Sequence, residues 1–169
     1  MFLFSFTLHV FAATEVYFSP GGGIRDQIIR RINVAHTSID VAVYSFTADD
    51  IARALVNAHK RGVKIRVIRD KSQSADKHDE NQFLIDQGIE VQIRSPRGRG
   101  IMHDKFAIFD QKEAFTGSYN WTNNAEMNNW ENALFIDDKN AVDSYKKEFD
   151  KLWHTPFLNT KHSQTRKHH

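Results

Sequence analysis

No cysteine occurs among the 169 residues of the chain. That excludes disulfides, thiolate catalysis and cysteine zinc sites, and is compatible with a reducing or an oxidising compartment. The nine histidines, at 9, 36, 59, 78, 103, 154, 162, 168 and 169, show no HExxH or other paired-ligand spacing. No metal site and no cofactor are therefore expected. The run Gly21-Gly22-Gly23 is not part of a GxxxxGK[ST] phosphate loop and reads as a flexible strand-to-helix turn. There is no internal repeat, no serine elbow and no stretch long enough to cross a bilayer.

One ordinary domain is the expectation at this length, large enough to bury roughly two thirds of the surface of its unfolded chain. The formal net charge of +2 says little about partners, but its distribution says more. From Arg53 to Lys105 there are twelve Lys and Arg against seven Asp and Glu; from Phe106 to His154 there are five against nine. The basic half leads into the stretch that carries the chemistry.

Residues 1–13, MFLFSFTLHVFAA, are almost wholly apolar and stop at Thr14-Glu15. They look like a secretory h-region without its basic n-region, with Val10 and Ala12 at the small-residue positions of a cleavage site. The expectation is a periplasmic or exported protein, with membrane association through this segment as a further option. An apolar strand or helix packed on the domain is the alternative. The domain itself is placed at 14–157, and 158–169 is expected to be a disordered basic tail.

Strands are expected at Glu15–Phe18, Ser38–Tyr44, Val63–Ile68, Ile89–Ile93, Phe106–Phe109, Glu113–Thr116 and Asn132–Ile136. Helices are expected from Ile24, over about Asp49–Arg61, Asp76–Gln87 and Asp138–Trp153, with Ser118–Asn129 polar and irregular. This alternation predicts an α/β fold, a mixed β-sheet flanked by helices on both faces.

The stretch Ile101–Asn120 sets His103, Lys105, Asp110, Gly117, Ser118 and Asn120 at fixed intervals. On a strand, His103 and Lys105 would leave the same face. A neutral imidazole is a nucleophile; a carboxylate accepting its Nδ1 proton leaves Nε2 free to attack and stabilises the cation that follows. Glu131 is the candidate carboxylate. Lys105 and Asn120 offer donors and positive potential suited to the equatorial oxygens of a phosphoryl group. The Gly117-Ser118 turn brings backbone N–H groups and a hydroxyl close to a ligand. Asp110 belongs to the same constellation, ending the strand and bonding backbone or a cation. Upstream, Arg94, Arg97 and Arg99 form a candidate phosphate-gripping lip on glycine hinges. Phe46 and Tyr119, with Tyr44, Trp121 and Trp130, could stack on exposed bases, and Lys60, Arg61, Lys64, Arg66 and Arg69 form a further basic cluster.

Read together, His103-x-Lys105-x₄-Asp110-x₆-Gly117-Ser118-x-Asn120, followed by Glu131-Asn132, resembles the HKD signature of the phospholipase D superfamily. The rest of the chain, through Tyr17-Phe18-Ser19-Pro20, Tyr44-Ser45-Phe46-Thr47 and Arg61-Gly62-Val63-Lys64, is similar to the small single-HKD bacterial endonucleases of the Nuc and NucT type. The resemblance implies a phospholipase D-like α/β sandwich and metal-independent phosphodiester cleavage through a phosphohistidine, with a second histidine protonating the leaving alkoxide. HxK occurs once in this chain, so a second histidine must come from a partner, which predicts a homodimer with a composite site. The expected substrate is DNA, single-stranded by preference, or RNA. The rival within enzymes is a phospholipase D or cardiolipin hydrolase acting on membrane phosphodiesters, against which stands the lack of an amphipathic interfacial helix. A nucleic-acid-binding protein with a dead motif is the third reading.

Overall fold

The computed structural model describes residues 13–74, 78–96 and 100–155. The segment 1–12, most of the expected leader, and the whole expected tail from 158 onward lie outside the described residues, as do Arg97 and Arg99.

Seven strands form one mixed sheet: β1 (Thr14–Ser19), β2 (Ser38–Val43), β3 (Lys64–Asp70), β4 (Glu90–Arg94), β5 (Lys105–Phe109), β6 (Glu113–Gly117) and β7 (Glu131–Ile136). Their order is β1-β7-β6-β5-β2-β3-β4, with β2, β3 and β4 parallel and the remaining neighbours antiparallel. The fold is α/β, as the alternation of elements predicts. Helices α1 (Ile24–Val34) and α2 (Asp49–Lys60) cover one face, and α5 (Lys139–His154) lies on the other. Each helix presents an apolar stripe at helical spacing, Ile24, Ile28 and Ile32 on α1 and Ile51, Leu55 and Ala58 on α2.

Two of the chain's helices depart from the expected pattern. The third, α3 (Asn81–Asp86), is only six residues long because the preceding turn is held elsewhere. Asp79 pairs with buried Arg69 at 2.6 Å and accepts the Asn81 N–H at 2.8 Å, and the Glu80 N–H goes to the Phe46 carbonyl. A short helix, α4 (Asn123–Met127), sits in the stretch expected to be irregular, where Thr122 caps it by accepting the Ala125 N–H at 3.1 Å.

All five residues of β5 are buried, with Phe106 and Ile108 facing α5 and Ala107 and Phe109 facing α1 and α2. This is the pattern of an inner strand covered on both faces. Three residues, Asp110, Gln111 and Lys112, join β5 to β6, the first two at positive φ and the Lys112 N–H donating to the Phe109 carbonyl at 2.9 Å. The Asp110 carboxylate accepts the backbone N–H groups of His36, Thr37 and Ser38 at 2.7 to 3.1 Å, tying this turn to the start of β2. Burial raises the pKa of Asp110, but these N–H donors outweigh it and hold the group below the usual aspartate range.

A carboxyl with a depressed pKa stabilises the fold fully above the unfolded-state value, and this contribution fades as pH falls through the folded-state value. Asp110→Ala is therefore expected to cost about 1–2 kcal/mol near neutral pH. The difference from wild type should shrink in acid, as followed by thermal denaturation between neutrality and pH 3.

Candidate active site

The pairing of β5 with β2 and β6 gathers four chain segments at one end of the sheet. Val43, the last residue of β2, lies opposite Lys105, the first of β5. Gly117 ends β6 and Glu131 opens β7 at the same end. His103, Lys105, Ser118, Asn120 and Glu131 are therefore neighbours by topology, whereas Asp110 lies at the far end of β5.

Lys105 is only 8 % exposed, and its ammonium donates to the His103 carbonyl at 2.6 Å, 5.1 Å from the centre of the Tyr44 ring. Burial lowers its pKa, opposed by the carboxylates of Asp104 and Glu131. Such a buried ammonium calls for anionic company. His103 differs from expectation: β5 begins at Lys105, so the histidine stands just outside the ladder and does not share a strand face with the lysine. Its imidazole is exposed and meets the Tyr44 ring edge-on, with centroids 4.7 Å apart. Asp104, between the two, has its pKa raised by burial and by Glu148.

The opposite wall depends on Gly117. At φ 151° a side chain there would place its Cβ 2.2 Å from the Asn132 carbonyl oxygen, so β6 and β7 can meet this closely only at glycine. The Ser118 N–H donates to that carbonyl at 3.1 Å and is not free for a ligand, a correction to the expectation for this turn. The Ser118 hydroxyl donates to the Glu131 carboxylate, whose other oxygen accepts from Asn129 at 2.9 Å. Among the described residues, Glu131 makes no bond to His103. Asn120 is held by its Oδ1, which accepts the Ser45 N–H at 3.3 Å and leaves Nδ2 to donate.

Several expected binding residues do other work. Phe46 is buried, edge-on to Trp121 at 5.1 Å, and cannot stack on a base. Tyr119 is equally buried and donates its hydroxyl to Glu126 at 2.7 Å; burial, then that bond, raises its pKa. Arg94 donates to the Leu152 and Trp153 carbonyls at 3.2 and 2.8 Å, closing the C-terminal end of α5. The arginines of the basic cluster are also committed: Arg66 pairs with Asp40 and Asp150, Arg69 is buried against Asp79, and Arg61 holds the Ile32 and Ala35 carbonyls. Asp110 serves the β5–β6 turn and not the cluster around Lys105. Tyr44 is the neighbour that sequence reasoning undervalued. Its ring touches His103 and faces the Lys105 ammonium, where the sequence suggests only a stacking aromatic.

An open imidazole, a buried ammonium, a carboxamide and a hydroxyl–carboxylate pair converge here, a set able to bind and attack a phosphoryl group. A family model described as "Cardiolipin synthase, PLD-like domain" matches residues 28–153. A mitochondrial cardiolipin hydrolase from Xenopus laevis is 40 % identical over 119 residues, 70 % of this chain and 56 % of the relative. The chain spans about half the length of the first curated relatives it matches. Among solved structures, NucT from Helicobacter pylori superposes with a TM-score of 0.79 at 31 % identity, covering 84 % of this chain and 96 % of that one. Nuc from Salmonella typhimurium, described as a phospholipase D family member, gives 0.78 at 33 %, with 84 % and 94 % covered.

The depressed pKa of Lys105 has a kinetic consequence. Only the ammonium attracts a phosphoryl anion, so kcat/KM should fall as pH rises through that pKa, before the ordinary lysine value of about 10.4 is reached. A rate–pH profile would show this alkaline limb, and calorimetry should find inorganic phosphate binding weakening over the same window.

Proposed function

The chain belongs to the phospholipase D family, and on that premise we propose that it is a metal-independent phosphodiesterase cleaving DNA, single-stranded by preference, or RNA through a covalent phosphohistidine. The observation that supports this best is the convergence of His103, Lys105, Asn120, Ser118 and Glu131 at one end of the sheet. In the first step His103 Nε2 attacks phosphorus, the P–O bond to the leaving group breaks, and a second histidine gives its proton to the departing alkoxide. In the second step that histidine, now neutral, takes a proton from water. The water oxygen bonds to phosphorus and the P–N bond breaks. Lys105 and Asn120 hold the equatorial oxygens throughout.

One chain supplies one such histidine, so the working unit is a homodimer whose two copies of His103 face each other in opposite roles. Glu131 then orients an imidazole by accepting its Nδ1 proton. Within the chain its carboxylate is bonded to Ser118 and Asn129 and not to His103, which supports the reading that the imidazole it serves is that of the second copy. Support for a docking face comes from the uneven cover of the sheet. α5 shields Ala42, Ile68, Phe106, Ile108 and Ala114, whereas Val16 and Phe18 of β1 point to the same side and are 53 % and 63 % exposed. Trp130, 92 % exposed, and Phe18 line a groove of about 350 Å³ that Glu131 also lines, so the bare apolar face runs directly into the site.

The rival reading, hydrolysis of cardiolipin or another phospholipid, is favoured by the name of the Xenopus relative. No described helix is long and apolar enough to cross a membrane. Export to the periplasm remains the reading of residues 1–13, most of which lie outside the described residues.

Single-stranded DNA, duplex DNA, RNA and cardiolipin vesicles, each incubated with and without EDTA, separate these readings. Cleavage of nucleic acid that survives EDTA and is lost in His103→Ala is expected; strict dependence on a divalent metal would sink the mechanism, and cleavage of the vesicles alone would select the lipid reading. Glu131→Gln should lower kcat more than tenfold at nearly unchanged KM. Phe18→Glu should give an inactive monomer in ultracentrifugation, and a fully active monomer would overturn the shared site.

A further inference from the structure

His103 has no ladder to hold it. β4 ends at Arg94 and regular pairing resumes only at Lys105, so the backbone that carries the imidazole is placed by individual bonds. On the downstream side the Asp104 carbonyl accepts the Tyr44 N–H at 2.9 Å. On the upstream side the Met102 N–H donates to Asp70 Oδ2 at 2.6 Å. Asp70 is the last residue of β3 and is 0 % exposed. Its other oxygen accepts from the Ser72 N–H at 2.7 Å and the Ser72 hydroxyl at 2.6 Å, so the carboxylate is clamped before it reaches Met102.

A fully buried carboxylate is costly unless its oxygens are taken by donors, and an apolar residue at the end of a strand would avoid that cost altogether. All three donors to Asp70 are backbone or hydroxyl groups. What the carboxylate does that a leucine could not is join the end of β3 to the residue immediately before His103. Met102 is itself buried, packed with Phe106, Ala42 and Ile68, so this join fixes one end of the three-residue span Met102–Asp104, whose other end is fixed by Tyr44. Between the two anchors His103 projects into solvent with its ring against Tyr44.

We propose that Asp70 is a positioning residue, which sets the imidazole of His103 for attack by holding the Met102 N–H and does not itself touch substrate. The proposal rests on the reading of His103 as the nucleophile. Misplacing a nucleophile by about 1 Å can cost on the order of a hundredfold in rate, so the loss should fall on kcat and not on KM.

The test uses the full chain and bis(p-nitrophenyl) phosphate, a phosphodiester that does not depend on the choice between nucleic acid and lipid. Asp70→Ala should lower kcat at least tenfold at nearly unchanged KM. Asp70→Asn, whose amide oxygen can still accept the Met102 N–H while its NH2 donates to the Ser72 hydroxyl and gives up the Ser72 N–H bond, should lower thermal stability yet keep kcat per folded molecule within about threefold of wild type. Asp40→Asn, which removes a buried carboxylate from β2 far from the site, should lower thermal stability and leave kcat per folded molecule unchanged. If Asp70→Ala does not fold, Asp70→Glu keeps the charge, moves the oxygens by one methylene, and should show the same tenfold loss. Wild-type kcat in folded Asp70→Ala or Asp70→Glu overturns the proposal, and so does an Asp70→Asn as slow as Asp70→Ala, since the loss would then follow the charge and not the bond. A His103→Ala protein as fast as wild type would overturn the phosphohistidine reading itself, leaving Asp70 with nothing to position. An inactive His103→Ala beside a fully active Asp70→Ala overturns the positioning alone.

Discussion

The antiparallel ladder between β2 and β5 is the constraint on which the rest of the molecule depends. It joins a parallel half, β2, β3 and β4, to an antiparallel half, β5, β6, β7 and β1. Register along that ladder sets Val43 opposite Lys105 and thereby brings the end of β2 beside the start of β5. Tyr44, the next residue after Val43, can then reach both the His103 ring and the Asp104 carbonyl. The cost of burying the Lys105 ammonium is met at this junction, where a carbonyl, an aromatic face and two nearby carboxylates surround it.

The second wall is built with different physics. β6 and β7 approach at Gly117 until no Cβ could fit, and Ser118 and Glu131 are bonded across the gap. One wall carries positive charge held in apolar surroundings and the other a carboxylate held by neutral donors. Opposite charges on facing walls suit a phosphodiester passing between them, with its oxygens toward Lys105.

Much of this was legible in the chain itself. Alternating apolar spacing marked seven strands and the long helices, and the short apolar run after Lys105 indicated an inner strand. The intervals from His103 to Asn120, with Glu131 beyond them, named residues that the fold brings to one end, Asp110 excepted, which it leaves at the other. Partners distant in sequence were not legible. Arg94 looked like part of a basic loop, yet its guanidinium closes a helix 58 residues downstream. Phe46 and Tyr119 had the composition of a stacking surface, but long-range packing against Trp121 and a bond to Glu126 bury them. Asp70 gave no signal, because a lone aspartate at a strand end is common and only the folded chain shows it reaching Met102. The short α4 was missed for a related reason: five residues are too few to display a helical period.

The interval between Lys105 and Asp110 also works as a ruler. The four residues it encloses alternate between the two cores, Phe106 and Ile108 toward α5 and Ala107 and Phe109 toward α1 and α2, and the turn at Asp110 locks the far end to the start of β2. Insertion of a single residue would reverse the facing of every residue between it and whichever end gives way, moving either the lysine or the turn by about 3.3 Å. Chemistry and packing therefore read the same count. Variation in this stretch is free to change the size of a side chain but not the length of the span, so its spacing would be kept even in a descendant that had lost all activity.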